Sequence, residues 1–349
     1  MWGKMLIALL ALMWAICCTV FAAASLIKGA GATLPYPIYS KWFDDYSYQT
    51  GGIRFDYQLI GSGSGIKEIV AQTVDFGATD APMSDEEIKK ASGHILHIPT
   101  VLSAVVVAYN VNGLGSGLRL SGENVVEIFM GQITKWNDPK IAQNNPGLTL
   151  PNQEIVAIHR SDESGTTYVF TDYLAHISPT WTMKIGTGKS VKWPTGLSAK
   201  GNEGISGTIK QTPGSVGYLD FSYAKLNDLS YAFLQNRAGN FIEPSIEATT
   251  AALAKAKIPS DYRMSIVNQP GAGTYPIAGL TWMLLYQSQK DPAKGKALVN
   301  FLWWALHEGQ SMTKDFGYAP LPTRLVDMLE KTLNQIQYKG KSLLESNVR

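Results

Sequence analysis

Cysteine is nearly missing from this sequence. The only two, Cys17 and Cys18, sit side by side in an N-terminal apolar stretch. The rest of the chain can therefore form no disulfide of its own, and its stability has to come from a packed core. Charge is also sparse. Asp, Glu, Lys and Arg make up 17% of residues, with a net charge of +2. No run of Lys and Arg occurs, so neither nucleic acid nor an anionic membrane is attracted by a strong field. Internal repeats and low-complexity tracts are lacking. So are several catalytic signatures. GSGSG at Gly61–Gly65 does not supply G-x-S-x-G around either serine. GTGKS at Gly186–Ser190 would need its first glycine where Met183 stands, so it is not a P-loop. His94 and His97 have no further ligand cluster to complete a metal site, and His159 stands alone, as a structural histidine would. No cofactor is expected.

What remains is 349 residues with 45% hydrophobic content, enough for one large or two medium domains. Residues 1–24 read as a cleaved secretory leader: Lys4, an apolar run from Met5 to Phe21, then Ala22, Ala23 and Ala24. The run is only near the lower limit, roughly 17 residues, for a spanning helix. Ile16 stands before Cys17 where a lipoprotein would carry a small residue. Beyond the leader, apolar strand-like runs alternate with amphipathic stretches separated by short Gly, Pro and Asn turns, the pattern of an α/β protein. Val101–Tyr109 and Gly279–Tyr286 are expected to be buried strands. SDEE from Ser84 to Glu87 is expected to be a capping box.

Three polar turns feed helices. In the first, Thr33 precedes Pro35, and Tyr36, Tyr39, Trp42, Phe43 and Tyr46 recur at helical spacing. In the second, Gly61–Gly65 runs into Ile66, Ile69 and Val70. In the third, Ser164, Gly165 and Thr166 open a helix with Val169, Phe170, Tyr173, Leu174 and Ile177 on one face. The first N–H groups of a helix lack internal partners and carry partial positive charge, so such turns suit anions. For any single turn, ordinary N-capping by Ser and Thr is the simpler explanation, and the three together favour a functional one. Arg160 adds a guanidinium beside the third turn, a planar fork suited to a tetrahedral oxyanion, with Asp162 placed to brace it. Asp80 follows a short apolar strand and precedes Ala81–Pro82; it is either a turn former or a carboxylate with a task.

GAGAT, GSGSG, VDFGATDAP, GQITKWNDP, HRSDESGTTYVFT and GSVGYLDFSYAK, in this order along nearly all of the chain after the leader, resemble the periplasmic phosphate-binding proteins of bacterial phosphate ABC transporters. The resemblance implies a two-domain periplasmic binding protein fold (type II-like) with a hinge and an interdomain ligand cleft. Domain I would comprise 25–103 plus 280–349, and domain II 104–279. It implies a monomer in the periplasm that binds inorganic phosphate and hands it to membrane permease subunits. Carried over by motif, Thr33, Leu34 (through its N–H), Ser62 and Asp80 face the ligand from the first domain. Arg160, Ser164, Gly165 and Thr166 face it from the second, and Asp162 supports Arg160. Two positions depart from the family pattern: Leu34 replaces Phe and Glu163 replaces Gly, and Glu163 is expected to point to solvent. A receptor for another oxyanion such as sulfate, or a phosphatase-type enzyme, is the rival reading. Asp80 separates phosphate from sulfate, because only phosphate keeps a proton for a carboxylate to accept near neutral pH.

Exported protein should begin at or near Ser25. N-terminal sequencing checks this, and a chain starting at Met1 would show that the leader is retained.

Overall fold

The computed structural model describes residues 25–344; the expected leader, with Cys17, Cys18 and the cleavage site, lies outside the described residues, as do residues 345–349. Eight strands form the path of the main sheet: β1 (Ser25–Gly31), β2 (Ile53–Leu59), β3 (Phe76–Thr79), β4 (Ile95–Asn110), β5 (Val156–Arg160), β6 (Leu197–Ala199), β7 (Ser215–Asp220) and β8 (Ala278–Tyr286). Their order is β2-β1-β3-β8-β4-β7-β5-β6, and a short strand, Ser230–Tyr231, also pairs with β4. β1 runs parallel to β2 and β3, and β5 runs parallel to β6 and β7. Between these parallel groups lie two antiparallel strands, β4 and β8.

β4 is the strand that the two halves share. Residues up to Ala104 pair with β8, ending at Ala104 opposite Ala278, while Val105 onward pairs with β7, starting opposite Asp220. All its residues except Asn110 are buried, which explains the uninterrupted Val, Leu and Ala composition expected of a strand covered on both faces. The strand begins six residues earlier than Val101 because Pro99, which cannot donate to a ladder, sits at an irregularity: Thr281 opposes Val101 and Trp282 opposes Pro99, leaving Thr100 over. The structure has the expected α/β architecture.

Helices pack on both parallel groups. α1 (Tyr36–Thr50) buries Tyr39, Trp42, Phe43 and Tyr46. Phe43 stacks on Phe55 at 4.5 Å and tilts against Phe301 at 5.4 Å, so the first half has an aromatic core. In the second half, α3 (Gly165–Ile177) stacks Phe170 on Tyr218 at 4.2 Å. Four fully buried tryptophans each give their indole N–H to a backbone carbonyl: Trp42 to Gly309, Trp136 to Gly214, Trp181 to Gly186 and Trp282 to Tyr262. No buried indole donor among these four is left unmade. The capping box is present, with Ser84 Oγ accepting from Glu87 N–H and Glu87 accepting from Ser84 N–H. Among the described residues no helix is long and apolar enough to cross a membrane.

α2 (Ser62–Ala71) lies directly on the sheet. A Cβ at Gly65 would sit 2.5 Å from Gly31 Cα, 2.7 Å from Ala30 O and 2.9 Å from Ala78 O. These are backbone atoms of β1 and β3, which cannot swing aside. Gly65→Ala should lower the thermal unfolding midpoint through an overpacking cost of about 1–3 kcal/mol or more, whereas Ser64→Ala, at a half-buried neighbour, should change it little. Equal melting of Gly65→Ala and wild type would mean that α2 can lift off the sheet.

Candidate functional site

The turns singled out by the sequence follow the carboxyl ends of parallel strands, where open α/β sheets place their ligands. Thr33 and Leu34 follow β1, Ser62 follows β2, Asp80 follows β3, and Arg160 ends β5 ahead of α3. Thr33, Leu34, Ser62, Asp80, Arg160, Ser164 and Thr166 are all nearly or fully buried. The two halves meet over them. A Cβ on Gly165 would lie 2.3 Å from Ser62 Oγ and 2.6 Å from Asp80 Cβ, so Gly165 of the second half fits directly against the first.

Arg160 is held as a fork. Its Nε donates to Asp162 Oδ1 at 2.7 Å and its Nη2 to Asp162 Oδ2 at 2.5 Å, the bidentate geometry of a charge-assisted pair. Nη1 reaches Thr166 Oγ1 at 3.3 Å. Burial pushes the Asp162 carboxyl up, but the bonds and charge of Arg160, with the N–H of Gly201 at 3.1 Å, outweigh it and hold Asp162 below the ordinary carboxylate range. Asp162 thus braces Arg160 in the manner expected for it. Ser164 caps α3, its Oγ accepting the N–H of Thr167 at 3.0 Å, which leaves the hydroxyl proton uncommitted by that bond.

Asp80 has no such cationic partner in contact. Thr281 donates its hydroxyl to Asp80 Oδ1 at 2.6 Å, and Ser62 Oγ accepts the Asp80 N–H at 3.1 Å and lies 3.5 Å from Oδ2. Thr281 adjoins the irregularity in the β4–β8 pairing, a place where bulges re-aim side chains. Burial raises the Asp80 carboxyl to about 7, opposed by the Thr281 bond and the Arg160 charge and assisted by the negative charge of Asp220.

Sequence reasoning missed Thr281 and Asn202. Asn202 is fully buried and gives its amide N–H to Thr33 Oγ1 at 2.9 Å. Tyr223 and Tyr318 also escaped it: their hydroxyls donate to Thr33 O and Leu34 O, at 2.8 and 2.7 Å, and hold that turn in place. Asn, Thr and Tyr in ordinary contexts carry no sequence signal for such roles. Glu163 lies at the rim with its side chain 40% exposed; Lys67 Nζ, from the other half, donates to its Oε1 at 2.7 Å, and Gly63 N–H donates to Glu163 O at 2.9 Å. Gly63 and Gly65 serve chain packing more than access by an anion: a Cβ at Gly63 would fall 2.5 Å from Glu163 Cβ. Lys189, from the failed P-loop match, crosses the halves to Glu87 at 2.8 Å, and its carbonyl accepts the N–H of Ser164. His159 stacks on Trp193 at 5.0 Å, a packing role.

Comparison with known proteins adds to this geometry. Residues 21–308 match the family model for a PBP superfamily domain. The chain is 41% identical over 327 residues to the phosphate-binding protein PstS of Pasteurella multocida, covering 93% of this chain and 92% of that protein. It is 42% identical over 313 residues to the phosphate-binding protein PstS of Haemophilus influenzae, covering 89% and 93%. The crystal structure of a phosphate binding protein from Stenotrophomonas maltophilia superposes with a TM-score of 0.71 at 21% identity, covering 88% of this chain and 94% of that one, which shows the shared two-domain fold.

Asp80 makes stability depend on pH with a definite sign. Its folded-state pKa, about 7, lies above the value of about 3.9 for an exposed Asp. The folded state therefore holds the proton more tightly, and stability is lost as pH rises from about 4 through about 7. Asp220, raised to about 6 chiefly by burial, acts in the same direction, so the informative quantity is a difference. The stability of wild type relative to Asp80→Asn should fall across that pH range in denaturant titrations. A difference independent of pH would mean that Asp80 stays ionised throughout.

Proposed function

The chain belongs to the PBP superfamily and, within it, to the phosphate-binding proteins, and we propose that it captures inorganic phosphate between its two halves and delivers it to the membrane subunits of a phosphate ABC transporter. It is a binding protein, not an enzyme. The proposed ligands are Thr33, the Leu34 N–H, Ser62 and Asp80 from one half, and Arg160, Ser164, Gly165 and Thr166 from the other, with Asp162 in support. Residues 25–103 plus 280–349 would form one domain and 104–279 the other. That division is supported by the changeover in β4 partners between Ala104 and Val105. We further propose that the protein works as a monomer in the periplasm, exported by the leader over residues 1–24.

The observation that carries the reading is a buried carboxylate placed among donors. Hydroxyls, helix N–H groups and a guanidinium would bind any oxyanion. Asp80 is the exception: Thr281 donates to Oδ1, and Oδ2, with only a long 3.5 Å contact from Ser62 Oγ, can still accept in a dry site. Phosphate retains an O–H that Oδ2 can accept. Sulfate offers only lone pairs, so its approach leaves a repelled, unsatisfied contact. A site built around a required hydrogen bond can discriminate by roughly 10⁴ or more. The same residue sets the pH range, since the rejecting form is the ionised one.

Calorimetric titration of ligand-stripped protein at pH 8 should show binding of phosphate, competition by arsenate, which also keeps a proton, and no binding of sulfate. Sulfate should gain affinity as pH falls below about 7, where Asp80 takes up a proton and becomes a donor. Asp80→Asn should bind sulfate detectably at pH 8, because an amide N–H replaces the repelling oxygen. Sulfate binding to wild type as tight as phosphate at pH 8, or selectivity unchanged in Asp80→Asn, would remove the basis for the phosphate assignment.

A further inference from the structure

Asn202 is the second residue of α4 (Gly201–Gln211) and comes from the half opposite Thr33. The direction of its amide is set by chemistry. Oδ1 accepts the backbone N–H of Asp220 at 3.0 Å, a group that can only donate, so the NH₂ must face the other way. There Nδ2 donates to Thr33 Oγ1 at 2.9 Å and reaches Thr166 Oγ1 at 3.5 Å. The backbone N–H of Asn202 also donates to Thr33 Oγ1, at 3.2 Å.

A hydroxyl has one proton and two lone pairs. On Thr33 both lone pairs receive N–H donors from Asn202, so the proton is the only function left to it. On Thr166 the donors are Arg160 Nη1 at 3.3 Å and Asn202 Nδ2. We infer that Asn202 is a positioning residue for anion capture: it fixes the hydroxyls of Thr33 and Thr166 as donors toward the ligand, and for Thr33 it does so only when the two halves are together. The inference rests on the phosphate-binding reading above and adds a source of specificity. An unconstrained threonine would accept a proton as readily as donate one, and could then serve a ligand O–H at any corner. With both hydroxyls fixed as donors, Asp80 is left as the acceptor that the ligand's O–H must find.

A purely structural role is the alternative, since Oδ1 also holds Asp220. Two substitutions separate the roles. Asn202→Asp keeps the acceptor for Asp220 N–H but replaces the donor with an oxygen, toward which the Thr33 proton would turn, away from the ligand. Asn202→Ala loses the acceptor for Asp220 and leaves Thr33 the backbone N–H of residue 202. Titration of the full-length mature chain with inorganic phosphate at pH 8 should show Asn202→Asp weaker than wild type by roughly ten- to a hundredfold, and weaker than Asn202→Ala. Because an added negative charge would also repel phosphate, the deciding measurement is a double-mutant cycle with Thr33→Val: the loss caused by either Asn202 variant should be markedly smaller when the Thr33 hydroxyl is already gone. Whichever variant keeps a wild-type melting profile can carry the cycle. Equal losses in the two backgrounds, wild-type affinity in Asn202→Asp, or a greater loss in Asn202→Ala would overturn the inference while leaving phosphate binding intact. A wild-type protein that ignores phosphate would overturn the reading beneath it as well.

Discussion

Two strands, β4 and β8, belong to the sheet where it passes from one half of the molecule to the other, and every contact at the site depends on how they hold those halves in register. β4 pairs with β8 up to Ala104 and with β7 from Val105. β4 is buried on both faces, so a one-residue slip would exchange the side chains packed on its two sides, and packing on both sides fixes its register. With that register fixed, the turns at the carboxyl ends of the parallel strands are brought together in the arrangement described for the site. Ser103 and Asp220 reinforce the changeover, the Ser103 hydroxyl donating to Asp220 next to the point where β4 exchanges partners.

Burial of charge decides the chemistry inside. Arg160 cannot be solvated where it sits, and Asp162 supplies both oxygens of a bidentate pair. Removing one member of a buried pair typically costs about 3–5 kcal/mol, because the remaining charge is stranded. Asp80 is treated differently. It receives hydroxyl donors but no guanidinium in contact, and its carboxyl rises to about 7. The two carboxyls thus have opposite tendencies: Asp162 is held ionised by its cation, whereas Asp80, with no cation in contact, exchanges its proton near neutral pH. In its ionised form Asp80 serves as an acceptor among the donors.

The rim works on other terms. Lys67–Glu163 and Lys189–Glu87 cross between the halves; the Lys67 side chain is 69% exposed and that of Glu163 40%, whereas Lys189 and Glu87 are mostly buried. An exposed pair such as Lys67–Glu163 contributes about 0–1 kcal/mol and is screened by salt. The buried bonds from Asn202 and Thr281 set the pattern of donors. Gly63 and Gly165 matter at the same boundary for steric reasons, since a methyl at either would collide with the opposite half.

Local events can be read from neighbours along the chain. Helix starts at Ser62 and Gly165, the Ser164 cap, the Ser84–Glu87 box and the two buried strands all follow from capping preference, glycine placement and apolar runs within a few residues of one another. The Arg160–Asp162 brace was legible for the same reason, its members being two positions apart. Which groups face each other across the chain follows from the fold instead. Thr281 meets Asp80 from 201 positions away and Asn202 meets Thr33 from 169. Such pairings depend on strand register and the meeting of the two halves, and the residues involved are too common for their type to announce the role. Glu163 shows the same limit: nothing near it in sequence reveals that Lys67 answers it from the other half, because that contact exists only where the two halves close.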